Sequence, residues 1–107
     1  MARPADFARV RQEGASAAGR WTVLLTLANG LDYSRFGFAA GKAVGGAVQR
    51  NRAKRLLREA VRADLGRIQA GWDLVWIARA AMARARLAEV SADVGVLLRR
   101  ARVWLPD

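Results

Sequence analysis

The chain has 107 residues and a formal charge of +10, from 19 Lys and Arg against 9 Asp and Glu, and 53% of its residues are hydrophobic. That length suits one folded domain with a moderate core, and so large a positive excess points to nucleic acid or an anionic membrane surface as the partner. The absence of Cys excludes disulfides, zinc–thiolate sites and a thiol nucleophile, and the absence of His removes the commonest general base and metal ligand.

In chain order, residues 5–13 predict a short helix, with Asp6 near its amino-terminal cap, Phe7 and Val10 on one face and Gly14 just past its end. Residues 21–27 combine β-branched and aromatic side chains and run into Asn29-Gly30, a strong turn signal, so they predict a first strand. Residues 35–40 predict a second strand, with Phe36, Phe38 and Ala40 facing the core and Gly37 and Ala39 facing away. The run Gly41-Lys42-Ala43-Val44-Gly45-Gly46 predicts a flexible turn, because it lacks the full spacing of a nucleotide-binding loop. A helix is expected from about Ala47 to about Leu65, stopped by Gly66. Residues 72–78 predict another strand, in which Val75 and Ile77 oppose Leu74, Trp76 and Ala78. A last helix from about Arg86 to Ala101 sets Leu87, Val90, Val94, Leu97 and Ala101 at alternating spacings of three and four. With no repeat, linker or low-complexity tract, residues 1–107 read as a single α+β domain, helices against a mainly antiparallel sheet.

The middle helix is the most informative segment. Six cations, Arg50, Arg52, Lys54, Arg55, Arg58 and Arg62, fall within thirteen residues that also carry an apolar stripe of Ala53, Leu56, Leu57 and Ala60. At 100° per residue, Asn51, Lys54, Arg55, Arg58 and Arg62 share the arc opposite that stripe. An ordinary solvated helix face mixes acids with bases at i,i+4, since like charges there repel. Here Glu59 is the one acid near Arg55 and Arg62, and such repulsion is best tolerated where a polyanion neutralises it. Cations recur elsewhere, from Arg3 to Arg102, and 17 of the 19 are arginines, with Lys42 and Lys54 the exceptions. Arginine forks onto phosphate oxygens and stacks on bases.

Phosphodiester hydrolysis calls for clustered carboxylates holding metal ions, or for a histidine pair. The acids, Asp6, Glu13, Asp32, Glu59, Asp64, Asp73, Glu89, Asp93 and Asp107, are scattered singly, so the protein alone is expected to catalyse nothing. No apolar run approaches the roughly 18 residues of a membrane span. The first six residues lack the apolar region of a signal peptide, so a cytoplasmic protein with no membrane partner is expected.

Three motifs together resemble the signature of the bacterial ribonuclease P protein subunit, the small basic partner of a catalytic RNA. They are Arg35-Phe36-Gly37-Phe38, then Lys42-Ala43-Val44-Gly45, then the run from Ala47 through Arg50-Asn51-Arg52 to Glu59. Asp6-Phe7 with Val10 and Gly14, and Trp72-Asp73 through Ala78-Arg79, agree with that family's first helix and final strand. The resemblance implies a single-domain αβββαβα sandwich, ribosomal protein S5 domain 2-like, with a left-handed βαβ crossover that general handedness rules disfavour. It implies assistance in the endonucleolytic removal of the 5′ leader from precursor tRNA. It also implies two RNA-facing surfaces. Lys42, Arg50, Asn51, Arg52, Lys54, Arg55, Arg58 and Arg62 would dock on the catalytic RNA, and a cleft of Phe7, Arg11, Val23, Leu25, Trp76 and Ala78 would hold the leader. Mg²⁺ is expected to act through the RNA; the sequence assigns no specific protein-bound ion and makes no obligate protein partner evident. Two departures stand out. Gly41-Lys42-Ala43 replaces the family's Ser-Lys-Lys, and Arg11 and Leu25 occupy places usually held by aromatics, leaving Trp76 to compensate. A structural RNA-binding module, such as a small ribosomal protein, is the alternative that charge alone leaves open, and a DNA-binding helix module fits the strands less well.

Overall fold

The computed structural model describes residues 4–105, so Arg3 and Asp107 lie outside the described residues. Helix α1 (Pro4–Glu13) leads into strands β1 (Ala15–Ala18), β2 (Thr22–Ala28) and β3 (Arg35–Ala40). Helix α2 (Ala47–Ala63), strand β4 (Trp72–Ala78) and helix α3 (Leu87–Arg100) complete the αβββαβα order. The four strands form one sheet in the order β1-β2-β4-β3. Strand β4 is antiparallel to β2, with Val23 opposite Ile77 and Leu25 opposite Val75, and parallel to β3, with Phe36 beside Leu74 and Phe38 beside Trp76. Helix α2 therefore spans a βαβ crossover, and β3 is the edge strand of the sheet on the side of β4.

The period of two along each strand divides the sheet cleanly. One face carries Leu24, Leu74 and Trp76, which cluster with Ala53, Leu57, Ala60 and Val61 of α2 and with Val90, Val94, Leu97 and Leu98 of α3. Phe36, Phe38 and Ala40 pack partly buried against that cluster, as the alternation of large and small residues predicts. The opposite face carries Val23, Leu25, Asp73, Val75 and Ile77, and α1 lies across one end of it, anchored by the buried Val10. The apolar stripe of α3 begins one turn later than expected: Leu87 is exposed, and the buried row runs from Val90 to Leu98.

Strand β1 escaped the sequence reading. Its Ala-Ser-Ala-Ala run has weak strand preference, yet it pairs along its whole length with β2. Its position is fixed from α3. The carboxylate of Asp93 accepts backbone N–H bonds from Arg20 (3.2 Å), Trp21 (2.9 Å) and Thr22 (3.2 Å), and a Cβ on Gly19 would collide with that carboxylate. Residues 41–46 are likewise more ordered than a flexible turn. Lys42–Val44 form a 3₁₀ turn with Val44 buried, and Gly45 takes φ +142°. Helix α2 closes two residues before Leu65, where the chain tightens into the 3₁₀ turn Leu65–Arg67.

Asp73 is the buried charge of the fold, with a side chain wholly withdrawn from solvent. Arg35 grips it side-on, Nε to Oδ1 at 2.8 Å and Nη2 to Oδ2 at 2.6 Å. Arg9 of α1 reaches Oδ2 at 3.2 Å, and Asn29 Nδ2 reaches Oδ1 at 3.0 Å. Burial by itself pushes this carboxyl up, but hydrogen bonds from Arg35, Asn29 and Arg9 and the charge of Arg35 outweigh it, so Asp73 titrates below its ordinary range. A carboxyl held low when folded contributes stability that is complete above an unfolded pKa of about 4 and is lost as pH falls through the lowered value. Acid unfolding followed by circular dichroism should therefore show a stability loss below about pH 4 that Asp73→Asn lacks. At neutral pH the same substitution should cost about 3 kcal/mol in urea unfolding, the low end for a broken buried pair, because the Arg35 side chain stays 26% exposed.

Candidate nucleic-acid interface

Helix α2 turns Ala53, Leu57, Ala60 and Val61 into the core, which fixes the opposite side as surface. Asn51, Arg55, Arg58 and Arg62 are exposed there, and Arg50 and Lys54 are part-buried along the flank. The ion pairs among the described residues all involve Asp73 or Asp6, partnered by Arg9 and Arg35. No described carboxylate neutralises Arg50, Lys54, Arg55, Arg58 or Arg62. Lys42, exposed in the 3₁₀ turn ahead of the helix, extends the positive surface. Arg58 also rests its guanidinium over the ring of Phe38, 5.6 Å from the centroid.

Arg52 separates from the set with which the sequence groups it. Its Nη2 donates to the carbonyl of Ala85 at 2.7 Å and its Nη1 to that of Ala83 at 3.5 Å, tying α2 to the 3₁₀ segment Ala80–Arg84 and the start of α3. On the helical wheel Arg52 stands away from Asn51, Arg55 and Arg62, which is why it reaches a neighbouring element instead of solvent.

The second surface is the sheet face beneath α1. Phe7 is part-buried and Arg11, one turn on, is exposed, so both lie on the same side of α1. Val23 and Leu25 of β2 are part-buried on the face toward α1. Trp76 and Ala78 are not there. Both point to the opposite face, where Trp76 is fully buried with α2 and α3 around it, so the leader-cleft assignment of these two is corrected. Strand parity is the reason: Asp73 sits on the α1 side, so the α1-side residues of β4 are the odd ones, Val75 and Ile77. The charge at Asp73, in a strand otherwise apolar, was the signal in the sequence that could have set this parity. Gly14 closes α1 against β2, since a Cβ there would meet the Thr26 carbonyl oxygen at 2.8 Å.

Among the described residues no three His, Cys, Asp or Glu side chains converge to hold a metal ion, and no helix is long and apolar enough to cross a membrane. The two surfaces present cations, amides and an apolar floor.

Comparison with known proteins gives a consistent result. The family model described as Ribonuclease P matches residues 1–102. The ribonuclease P protein component of Dehalococcoides mccartyi is 42% identical over 103 residues, covering 96% of this chain and 84% of the relative. That of Chloroflexus aurantiacus is 42% identical over 102 residues, covering 94% and 76%. Among solved structures, the RNase P protein of Staphylococcus aureus superposes with a TM-score of 0.87 at 31% identity, covering 97% of this chain and 95% of that one. The RNase P protein of Thermotoga maritima gives 0.81 at 35% identity, covering 89% and 90%. A match along nearly the whole chain, carried by sequence and by fold alike, means that the chain belongs to the ribonuclease P protein family.

Proposed function

We propose that the chain, as the protein component of ribonuclease P, docks α2 on the catalytic RNA and holds the single-stranded 5′ leader of precursor tRNA in the cleft between α1 and the sheet. The observation that carries this reading is the row of exposed α2 cations with no internal carboxylate partner among the described residues. Exposed like charges one turn apart repel, and an RNA backbone relieves that repulsion while releasing counterions. In the cleft, Phe7 supplies a face for a base, Arg11 a cation for a phosphate, and Val23, Leu25 and Ile77 an apolar floor. Precursor gains those contacts and mature tRNA does not, so the protein favours substrate over product and assists endonucleolytic removal of the leader. Mg²⁺, bound by the RNA, would activate the attacking water and neutralise the phosphate. Of the described acids, Asp73 and Asp93 are taken up by internal hydrogen bonds.

Replacing Arg50, Arg55 and Arg58 with Ala should weaken assembly with the catalytic RNA and flatten its log–log salt dependence by roughly 0.7 to 0.9 per lost phosphate contact. An unchanged slope in filter binding would reject this face as the docking surface. Arg52→Ala should instead lower the melting temperature and leave the slope nearly as it was. In the cleft, Phe7→Ala and Ile77→Ala should weaken precursor binding while sparing mature tRNA; equal losses for both RNAs would assign these residues to packing. Trp76→Ala should cost about 3 to 5 kcal/mol of stability, as for other buried aromatics, with no preference between the two RNAs.

A further inference from the structure

Beside the cationic row of α2 lies a groove whose aromatic floor the docking described above does not use. It runs between the carboxyl-terminal half of α2 and the edge strand β3, encloses about 200 Å³, and is lined by Phe36, Phe38, Arg58, Val61, Arg62 and Leu65. Phe36 and Phe38 are two residues apart on one strand, so both side chains leave the same face, toward α2. Both are part-buried, and Leu65 at the mouth is 46% exposed. Arg58 and Arg62 are one turn apart on the exposed row of α2 and close the opposite rim. The volume is below the roughly 300 to 1,000 Å³ of pockets that enclose a whole small ligand. It suits one flat group. Aromatic floor, cationic rim and a polyanion-binding helix alongside converge on one kind of occupant.

We propose that this groove receives a single unstacked nucleobase of the RNA on which α2 docks, with Phe38 and Phe36 giving it a stacking surface and Arg58 and Arg62 holding its flanking phosphates. The inference rests on the α2 docking reading and deepens it by adding a base-sized contact to a phosphate-only face. Aromatic pairs on a strand are a recurrent platform for unpaired bases, and stacking on them tolerates any base because every base has a π-face. The guanidinium of Arg58 lies over the Phe38 ring, so an entering base takes its place on that face and leaves it free to meet a flanking phosphate.

The test uses the full chain and the in vitro transcribed catalytic RNA of the same organism. Phe38→Leu keeps the site apolar and removes the π-face. It should raise Kd by roughly 5- to 100-fold, the range for losing one stacked base, with the salt slope unchanged, while Phe38→Tyr should bind as the parent does. If Phe38→Leu binds normally while the Arg50, Arg55 and Arg58 replacement still weakens binding, the pocket is overturned and the docking face stands. If neither variant weakens binding, both readings fall. A photoreactive benzoylphenylalanine in place of Leu65 gives an answer independent of any effect on folding. Crosslinks confined to one unpaired nucleotide are expected, and crosslinks spread along paired RNA, or none, would overturn the inference.

Discussion

The carboxylate of Asp73 is where three parts of the molecule meet: β4 carries it, Arg35 of β3 grips it with two hydrogen bonds, and Arg9 of α1 reaches it from across the sheet. Asn29 adds a fourth donor from the loop after β2, and its own Oδ1 accepts the N–H of Leu31, shaping that loop into an Asx turn. A buried charge is tolerated only when its lone pairs are filled, and here four hydrogen bonds fill them. Because α1 touches the sheet mainly at this end and through Val10, the ion cluster decides where α1 lies and how much of the Val23–Ile77 floor stays open. The geometry of the cleft between α1 and the sheet is in this sense a consequence of one aspartate.

On the other face of the sheet the logic is apolar. Ala53 and Ala60 are small, which lets α2 come close to β4 and α3, while Leu57 and Val61 fill the space between them. That packing consumes one side of α2 and leaves its cations no carboxylate to turn to. Arg52 shows what a neighbouring acceptor does to such a residue: the carbonyls of Ala83 and Ala85, at the end of the Ala80–Arg84 turn, draw it aside and make it a brace between α2 and the segment leading into α3. The basic helix is thus held against the core by its apolar stripe and aimed by one of its own arginines.

Much of this was legible in the chain. The bounds of β3 and β4, the three helices and the two faces of α2 follow from periodicity and punctuation, because burial imposes periods of 2.0 and 3.6 that side chains cannot hide. What was illegible depended on partners distant in sequence. Strand β1 is made of residues too small to announce a strand and exists because β2 and Asp93 of α3 hold it. The Asn29-Gly30 signal marks a turn, yet the strands it joins are not neighbours, since β4 inserts between them from forty residues away. Trp76 looked like a stacking platform because of its aromatic ring; strand parity sends it into the core. The carboxyl end of α3 shows a similar tertiary override. Arg102 adopts φ +60° where glycine is usual, and the N–H groups of Arg102 and Val103 bond back to the carbonyls of Arg99 and Leu98.

The outer edge of β3 also governs how the free chain behaves in a crowd. An edge strand carrying two half-covered phenylalanines is a template for pairing with another copy of itself. A charge of +10 opposes that approach, and salt screens the repulsion over about 10 Å at 0.1 M. Raising ionic strength to strip nucleic acid from the chain therefore weakens one of its guards against self-association at the same stroke.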